Sequence, residues 1–381
     1  MIEPAFFFEQ VKKNGTDFFA GVPDSLLKNL CAYITDNESN ERHIIPANEG
    51  SAVALATGHH LATGSIPLVY MQNSGIGNAV NPLLSLVDSD VYRIPMVLVI
   101  GWRGEPGKKD EPQHVTQGRL TCPLLETMGI PYVVMAEDHD SLNKQIDDCY
   151  RSIRETGRPF AFVVKKDSFA PYSLQKNIPV TAVMTRETAI ETVLLASRSD
   201  DIFVSTTGMA SRELYELREK HGMGHGKDFL TVGSMGHASQ IALGIALEKK
   251  TRRVVCIDGD GAALMHMGAL AINGVRAGRR FFHIVLNNEA HESVGGQPTV
   301  AGRIDLSRVA AACSYRVLPP VREQARLDDS LQALAASHGP AFLDVFVSLA
   351  SRSDLGRPRE TPAENKALFI SYIQNDAHDG A

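Results

Sequence analysis

Short runs of apolar, often β-branched residues recur along the whole chain and alternate with longer stretches of helical character. Such runs are typical of strands that are buried on both faces of a parallel sheet. The first half contains six of them, at residues 18–22, 43–46, 68–72, 96–100, 132–135 and 160–164. The second half contains six more, at residues 202–205, 229–232, 254–257, 281–286, 315–318 and 342–347. The alternation predicts an α/β fold with two doubly wound parallel-sheet domains.

A polar stretch between two prolines marks the boundary of the predicted domains. Pro171 and Pro179 enclose Tyr, Ser, Gln, Lys and Asn residues, a composition typical of a linker. Beyond it, Thr185 is a predicted N-cap for a new helix. We therefore expect a first domain over residues 1–172, a linker over 173–184 and a second domain over 185–381. The small, polar residues 375–381 are expected to fray.

Charge and composition argue against several classes of protein. The formal net charge of −6 at pH 7 disfavours nucleic acid and anionic membrane surfaces as partners. We see no apolar run long enough to span a membrane and no signal-peptide pattern near Met1. The five cysteines are scattered and lack CxxC spacing, which predicts buried thiols in a reducing cytoplasm.

Carboxylates and amides follow two neighbouring strands of the second half. One apolar run ends in DGDG (258–261) and the next in NN (287–288). Residues 262–278 between them are rich in Ala, Leu and Met, which predicts the crossover helix of a βαβ unit. Asp260 and Asn288 are therefore expected at the carboxyl edge of the sheet, where open α/β sheets bind ligands. Oxygen ligands of this kind suit Mg²⁺, which completes its shell with water and phosphates.

Two common motifs fit the DGDG segment poorly. In an EF-hand counted from Asp258, the glycine position and the bidentate glutamate position fall on Ala263 and Ala269. A dinucleotide fingerprint fails because Gly261 is followed by Ala-Ala-Leu, with no glycine at the third position. The informative feature is therefore that DGDG and NN follow neighbouring strands joined by a crossover of the expected length.

This combination resembles the magnesium–diphosphate motif of thiamine diphosphate (ThDP) enzymes. The resemblance implies that the side chains of Asp260 and Asn288 and the backbone carbonyl of Ala290 ligate Mg²⁺. The cofactor contacts that it implies in the same segment are Gly259, Gly261 and Ala262.

A glutamate stands at the start of a predicted helix in the first half. Glu49 follows the strand at 43–46, and residues 50–64 are rich in Gly, Ser, Ala and Thr. From residue types alone, Glu49 is explained more simply as a carboxylate that complements the helix dipole. The segment also resembles the pyrimidine-binding signature of ThDP enzymes, in which one glutamate bonds the N1′ atom of the aminopyrimidine. That resemblance implies a catalytic role for Glu49 in cofactor activation and a subunit interface along its helix.

A glycine-rich turn follows a strand of the second half. The segment TVGSMGHA (231–238) leads from a strand into a helix of small residues, and its glycines allow close approach of a ligand to the backbone. A plain strand-to-helix turn would explain these residues equally well. In ThDP enzymes the corresponding turn lies under the cofactor. The cofactor contacts that this resemblance implies are the Gly233 carbonyl, Ser234, the apolar Met235 and, after the preceding strand, Thr207 and Gly208.

Polar residues are concentrated where strands of the first sheet are predicted to end. The loop at 103–114 gathers basic donors that suit an anionic substrate. A solvated surface loop is the alternative, because its acidic residues nearly balance the charge. The candidate substrate ligands on this rim are Asp24, Ser25, Asn73, Ser74, Arg103 and His114, and His114 is also a candidate proton donor.

Four segments of this rim narrow the resemblance. GVPDSLL (21–27), MQNSGIGN (71–78), GWRGEPG (101–107) and DEPQH (110–114) resemble ThDP-dependent 2-oxoacid decarboxylases whose substrate carries a second anionic group. The resemblance covers nearly the whole chain as a pyrimidine-binding and a diphosphate-binding domain, without the central third domain of many members. It implies ThDP- and Mg²⁺-dependent decarboxylation of 3-phosphonopyruvate to phosphonoacetaldehyde and CO₂ in phosphonate biosynthesis.

Other activities stay open at this point. A sulfonate could replace the phosphonate, or the enzyme could be another 2-oxoacid decarboxylase or a carboligase. A subunit that binds ThDP without turnover is disfavoured by Glu49, and a nicotinamide oxidoreductase by the lack of GxGxxG. The resemblance also implies a homodimer or higher homo-oligomer with its active sites between chains. The expected partner is a small, anionic 2-oxoacid.

Overall fold

The computed structural model of the protein describes residues 1–176, 182–336, 339–349 and 351–374. The chain divides into two compact units, Met1–Asn177 with Ser293–Gln297, and Ile178–Glu292 with Pro298–Ala381. Residues 177–181 of the predicted linker and the predicted frayed end at 375–381 lie outside the described residues. The domain boundaries given above stay predictions.

The described part of the first unit contains one six-stranded parallel sheet. Its strands are β1 (Phe19–Gly21), β2 (His43–Ile44), β3 (Leu68–Gln72), β4 (Val97–Gly101), β5 (Tyr132–Val134) and β6 (Phe160–Val164), in the order β2-β1-β3-β4-β6-β5. Each strand overlaps one of the predicted apolar runs, so the predicted sheet is confirmed. Successive residues of β4 enter two different cores, Val97 and Val99 one and Leu98 and Ile100 the other. Burial on both faces explains the continuous apolar runs.

Helices cover both faces of this sheet. They are α1 (Pro4–Lys13), α2 (Lys28–Asn37), α3 (Glu49–Thr63), α4 (Ile76–Pro82), α5 (Pro112–Thr127) and α6 (His139–Thr156). In α6 the buried residues Leu142, Ile146 and Ile153 recur at helical spacing. The Asp138 side chain caps this helix by accepting a hydrogen bond from the Ser141 amide.

The described part of the second unit contains another six-stranded parallel sheet. Its strands are β7 (Ile202–Ser205), β8 (Asp228–Leu230), β9 (Val254–Gly259), β10 (Phe281–Asn287), β11 (Arg316–Val317) and β12 (Ala341–Phe346), in the order β11-β12-β10-β9-β7-β8. All of them overlap the runs predicted in the second half. The α/β fold with two parallel sheets is therefore confirmed.

The helices of the second unit depart from prediction at the crossover between β9 and β10. They are α7 (Arg186–Leu195), α8 (Met209–Lys220), α9 (Ala238–Glu248), α10 (Asp260–Met265), α11 (Ala269–Arg276), α12 (Leu306–Ala312), α13 (Gln324–Ala335) and α14 (Pro362–Gln374). The single helix predicted at 262–278 is wrong, because α10 ends at Met265 and α11 starts anew. The break lies at His266 (φ −131°, ψ 49°), whose ring packs against Gly236. Thr185 caps α7 as predicted, by accepting from the Thr188 amide.

The cysteines are all free thiols. Cys31, Cys149 and Cys256 are buried, as predicted, whereas Cys122 and Cys313 are partly exposed. Among the described residues, no helix combines the length and the apolar character that crossing a bilayer requires.

Candidate active site

Glu49 is the first residue of α3 and its side chain is 5% exposed. The preceding residue, Asn48, caps the helix by accepting a hydrogen bond from the Ser51 amide. The helix therefore begins at Glu49, whose side chain is buried. Burial of the carboxylate goes beyond what a helix-dipole interaction requires, since such carboxylates are commonly exposed.

Two residues of α4 and its N-terminal turn shape the surroundings of Glu49. The Asn78 side-chain amide donates to Glu49 Oε2 over 2.7 Å. A Cβ atom at Gly75 would lie 2.5 Å from Glu49 Cγ, so only glycine leaves room for this carboxylate. Sequence reasoning did not assign Gly75 or Asn78 a role, although both belong to the segment 71–78 that carried the resemblance.

Asp24 lies beneath the rim of the first sheet and is 1% exposed. Its Oδ2 accepts a hydrogen bond from the Leu26 amide over 3.0 Å. Burial raises the pKa of Asp24 to about 6. The backbone of Gly101, at the end of β4, packs directly against this carboxylate, where a Cβ atom would overlap it. Direct contact of Asp24 with a substrate stays a prediction.

Arg103 is held in place by an acid of its own loop. Its Nε donates to Asp110 Oδ2 over 2.8 Å and its Nη2 to Oδ1 over 2.5 Å, which makes a bidentate pair. Its Nη1 donates to the Ser25 hydroxyl over 2.9 Å. Hydrogen bonds from Arg103 keep the pKa of Asp110 well below its usual value. A guanidinium carries five N–H groups, so two remain for an anion.

Asn73 joins the ends of β3 and β4. Its Nδ2 donates to the Arg103 carbonyl over 2.7 Å and to the Thr121 hydroxyl over 2.9 Å, and its Oδ1 accepts from the Arg103 amide over 3.2 Å. The side chain is 1% exposed, so its visible role is to fix the loop. The neighbouring Ser74 accepts a hydrogen bond from Gln72 over 2.6 Å and stays partly exposed.

His114 lies near the start of α5 with an unused nitrogen. The residue is 9% exposed, and its Nδ1 has no hydrogen-bond partner among the described residues. Burial, together with the nearby Arg103, lowers the pKa of His114 to about 4. A buried imidazole nitrogen without a partner is unusual in a folded protein. The prediction that His114 contacts a substrate is consistent with that unused nitrogen.

In the second unit, Asp260 is the first residue of α10 and is 3% exposed. Its Oδ2 accepts from the Thr299 hydroxyl over 2.5 Å, and the Asn288 backbone amide is near enough to favour the charged form of the carboxylate. Burial raises the pKa of Asp260 to about 6. The predicted neighbours Asp260 and Asn288 are thus brought together. Sequence reasoning missed Thr299, which lies in no recognisable pattern.

Asn288 is oriented by a chain of charged side chains. Its Nδ2 donates to Glu292 Oε2 over 2.9 Å, and the same oxygen accepts from Arg186 Nη1 over 2.6 Å. Arg186 also forms a bidentate pair with the buried Glu213. Asn288 Oδ1 accepts from the amide of Ala290 over 3.2 Å. Sequence reasoning missed Arg186, Glu213 and Glu292 because their positions are far apart in the chain.

The glycine-rich turn lies against the start of α10. Gly236 has φ +87°, and a Cβ atom on it would lie 2.5 Å from His266 Nδ1. Met235 Cε lies 3.5 Å from the Cβ position of Gly261, and the Met235 side chain is 37% exposed. Met235 and Gly261, both predicted cofactor contacts, therefore lie next to each other in the second unit. Exposure of a large apolar side chain here leaves it available to a ligand.

The remaining predicted cofactor contacts lie on loops of the same unit. Thr207 and Gly208 lie between β7 and α8, with Gly208 at φ +96°. No described residue lies within 4 Å of the Cβ positions of Gly208 and Gly259, which leaves open space beside both backbones. Other predicted contacts are Gly233, partly exposed, Ser234, exposed at φ +53°, and Ala262, buried. No hydrogen bond among the described residues links the 207–208 loop to Asp260.

The second unit therefore suits the cofactor that its motifs imply. A buried carboxylate beside an amide side chain supplies oxygen ligands for a divalent cation. Within the described residues, no basic side chain lies within 4.0 Å of the Asp260 carboxylate, so a bound cation would balance a buried negative charge. Open space beside Gly208 and Gly259 leaves room for a diphosphate.

Comparison with known families supports this assignment. The N-terminal TPP binding domain of thiamine pyrophosphate enzymes matches residues 5–122. The C-terminal TPP binding domain of the same enzymes matches residues 205–345. The two matches fall on the two parallel sheets and include Glu49 and Asp260.

Three curated proteins are similar along most of the chain. Phosphonopyruvate decarboxylase from Streptomyces viridochromogenes is 36% identical over 94% of this chain and 92% of its own length. The enzyme of the same name from Streptomyces hygroscopicus is 36% identical over 94% and 90%. Sulfopyruvate decarboxylase from Methanosarcina acetivorans is 28% identical over 89% of both chains. This chain therefore belongs to the family of ThDP-dependent 2-oxoacid decarboxylases, among the relatives of phosphonopyruvate decarboxylase.

Proposed function

We propose that this protein decarboxylates 3-phosphonopyruvate to phosphonoacetaldehyde and CO₂, with ThDP and Mg²⁺, as a step of phosphonate biosynthesis. The observation that carries this proposal is the 36% identity to two phosphonopyruvate decarboxylases across 94% of the chain. The loop at 103–114, with its basic residues and ordered Arg103, adds a physical reason for an anionic substrate.

Asp260 and Asn288 would hold Mg²⁺ by their side-chain oxygens, and Ala290 by its carbonyl. Thr299 and the Glu292–Arg186 pair orient the first two of these residues. Glycines at 259 and 261 let the backbone approach the diphosphate closely. Met235 would support the cofactor from the exposed side of its turn, beside Gly261.

Glu49 would exchange a proton with the N1′ atom of the aminopyrimidine. The buried carboxylate is held by Asn78 through Oε2, which leaves Oε1 for that contact. When bound, ThDP would supply the carbon nucleophile for the keto carbon and the electron sink for loss of CO₂. His114 presents an unpartnered nitrogen and would donate to an anionic oxygen of the substrate or pass a proton.

A homo-oligomer with active sites between chains is part of the proposal. An exposed stripe of small and apolar residues runs along α3 directly after Glu49: Ala54, Leu55, Gly58, Leu61 and Ala62. A stripe of this composition is suited to burial against another chain. Light scattering coupled to gel filtration would measure the assembly, and a monomer at micromolar concentration would contradict it. The free thiols support the proposed cytoplasmic location.

Sulfopyruvate decarboxylation is the second candidate, because a sulfopyruvate decarboxylase is 28% identical over 89% of this chain. The two functions differ in the charge of the head group. CO₂ release from phosphonopyruvate, sulfopyruvate and pyruvate, each with ThDP and Mg²⁺, separates them. We expect the highest kcat/KM with phosphonopyruvate, and a preference for sulfopyruvate would overturn the proposal.

A further inference from the structure

A cavity of approximately 620 Å³ opens at the carboxyl edge of the first sheet. It lies beside the end of β4, the end of β6 and the start of α2, which contribute Arg103, Lys165 and Lys28. The other basic residues in its wall are Lys108, Lys109 and Lys166. The segment after β4, the segment after β6 and the start of α2 thus place cations around one cavity, and no substrate contact was predicted for the segment after β6.

The acidic residues of the wall balance only part of this charge. Asp110 is bound by Arg103 in the bidentate pair described above, and Glu105 lies 3.5 Å from the Lys165 ammonium. Glu137 and Asp167 are the other acids of the wall. The wall also contains four lysines that are not in these two ion pairs. Four positive charges against the two acids Glu137 and Asp167 leave the cavity with an excess of two positive charges. The chain as a whole has a formal net charge of −6, which makes this local excess distinctive.

The other four lysines of the wall form no ion pair with any residue that the structure describes. Within the described ranges, no carboxylate oxygen lies within 4.0 Å of the ammonium groups of Lys28, Lys108, Lys109 or Lys166. Lys28, Lys108, Lys109 and Lys166 are all exposed. Unpaired cations around a concave surface raise the local concentration of anions.

Hydrogen bonds hold the backbone of the wall in place. The Trp102 amide donates to the Val164 carbonyl over 2.8 Å, which joins the loops after β4 and β6. The Asn29 side chain donates to the Phe169 carbonyl over 3.1 Å, which joins α2 to the loop after β6. The lysine stems therefore extend from fixed backbone, so less ordering is needed when a ligand binds.

We propose that this cavity binds the phosphonate of the substrate, with Lys28 and Lys166 as specificity-determining residues beside the loop at 103–114. The inference rests on the proposed function and deepens it. A phosphate group carries a charge of about −1.5 to −2 at pH 7, and a doubly ionised phosphonate is similar. Its charge matches the excess of two positive charges in the cavity. A sulfonate carries one charge and the methyl group of pyruvate none, so the cavity discriminates among the three substrates by charge.

The test is calorimetric titration of the holoenzyme with 3-phosphonopropionate, which has the phosphonate and the carboxylate but no keto group to react. Lys28→Gln and Lys166→Gln should each raise its Kd about two- to fivefold, as expected for exposed ion pairs. The double variant should raise it roughly tenfold. The effect should shrink as salt increases, because exposed charges are screened.

Lys144→Gln is the matched control. Lys144 is an exposed lysine on α6 outside the cavity wall, so this variant changes the net charge equally and should leave Kd unchanged. A double variant that binds 3-phosphonopropionate as tightly as the Lys144→Gln protein would overturn the inference. Weaker binding of inorganic phosphate alone, with unchanged binding of 3-phosphonopropionate, would also overturn it.

The CO₂-release comparison keeps the two proposals apart. Wild-type protein that releases no CO₂ from phosphonopyruvate contradicts the proposed function, whatever the titrations give. Wild-type protein that turns over phosphonopyruvate, combined with an unaffected double variant, contradicts the cavity assignment alone.

Discussion

The side chain of Glu49 lies directly against the backbone of Gly75, so closely that a Cβ atom at residue 75 would be 2.5 Å from Glu49 Cγ. The glycine has no unusual backbone requirement, because its φ lies outside the left-handed region. What it provides is space. Gly75→Ala should therefore displace the Glu49 carboxylate and reduce exchange of the C2 proton of bound ThDP, which NMR measures. The exchange rate should fall nearly as far as it does when the Glu49 carboxylate is removed.

Gly77→Ala is the matched control for this prediction. Gly77 lies two residues further on, in α4, and no atom of the described part of the chain lies within 4 Å of its Cβ position. Alanine there should favour the helix by about 0.5–1 kcal/mol and leave exchange at the wild-type rate. Equal exchange rates in the two alanine variants would mean that contact with Gly75 does not position Glu49.

Replacing the carboxylate itself should affect catalysis much more than stability. Glu49→Gln keeps the size of the side chain and a partner for Asn78, but it cannot exchange a proton with N1′. General acid–base groups contribute roughly 10²–10⁴-fold, so we expect kcat to fall by that order. The free energy of unfolding should change by less than about 1 kcal/mol. Wild-type C2 exchange in this variant would contradict the role of Glu49.

The sequence predicted the sheets well because most of their strands are buried on both faces, the edge strands β2, β5 and β11 being the less buried ones. Continuous apolar runs are a strong local signal, and all twelve overlap observed strands. The start of α3 at Glu49 was also predicted correctly, and the structure shows that Asn48 caps it. The crossover helix was predicted wrongly: it breaks at His266, whose ring packs against Gly236, 30 residues away. Composition alone contains no sign of that contact.

Side-chain partners in the candidate site were less predictable. Asp260 and Asn288 could be paired because each follows a strand of one βαβ unit. Thr299, which donates to Asp260, lies beyond the 290–298 loop, and no motif connects it to a metal site. Arg103 was expected to serve the substrate, whereas three of its N–H groups bind Asp110 and Ser25. Sequence reveals which residue types are present, but tertiary packing determines how their hydrogen bonds are distributed.

Removal of the Asp260 carboxylate should abolish Mg²⁺-dependent binding of ThDP. In Asp260→Ala, one oxygen ligand is lost, and the Thr299 hydroxyl loses its acceptor. Titration with ThDP in the presence and absence of Mg²⁺ measures how strongly the metal promotes cofactor binding. Circular dichroism checks that the variant is folded. Thr299→Val is the milder comparison, with ThDP affinity reduced by less than about tenfold, as for loss of one hydrogen bond. An Asp260→Ala protein that binds ThDP like wild type would show the metal assignment to be wrong.

Arg103 and His114 should matter for the anionic head group. Charge-assisted hydrogen bonds are worth about 1.5–3 kcal/mol, so Arg103→Ala and His114→Ala should raise KM for phosphonopyruvate roughly ten- to a hundredfold. Arg119→Ala, at an exposed position of α5, is the control and should leave KM unchanged. Turnover of pyruvate, which we expect to be a poor substrate, should be little affected. Equal losses for both substrates would instead indicate a proton-transfer role for His114.

Asp24 should make the stability of the protein depend on pH. Its folded-state pKa is raised by burial from 3.8 to about 6, so the folded state binds the proton more tightly than the unfolded state. Stability from this group is then fully present below pH 4 and is lost as pH rises through about 6. Asp24→Asn keeps an acceptor for the Leu26 amide and removes the ionisation. Relative to wild type, the variant should gain up to about 3 kcal/mol between pH 4 and pH 8, measured by urea unfolding, and a difference that stays constant with pH would refute this account.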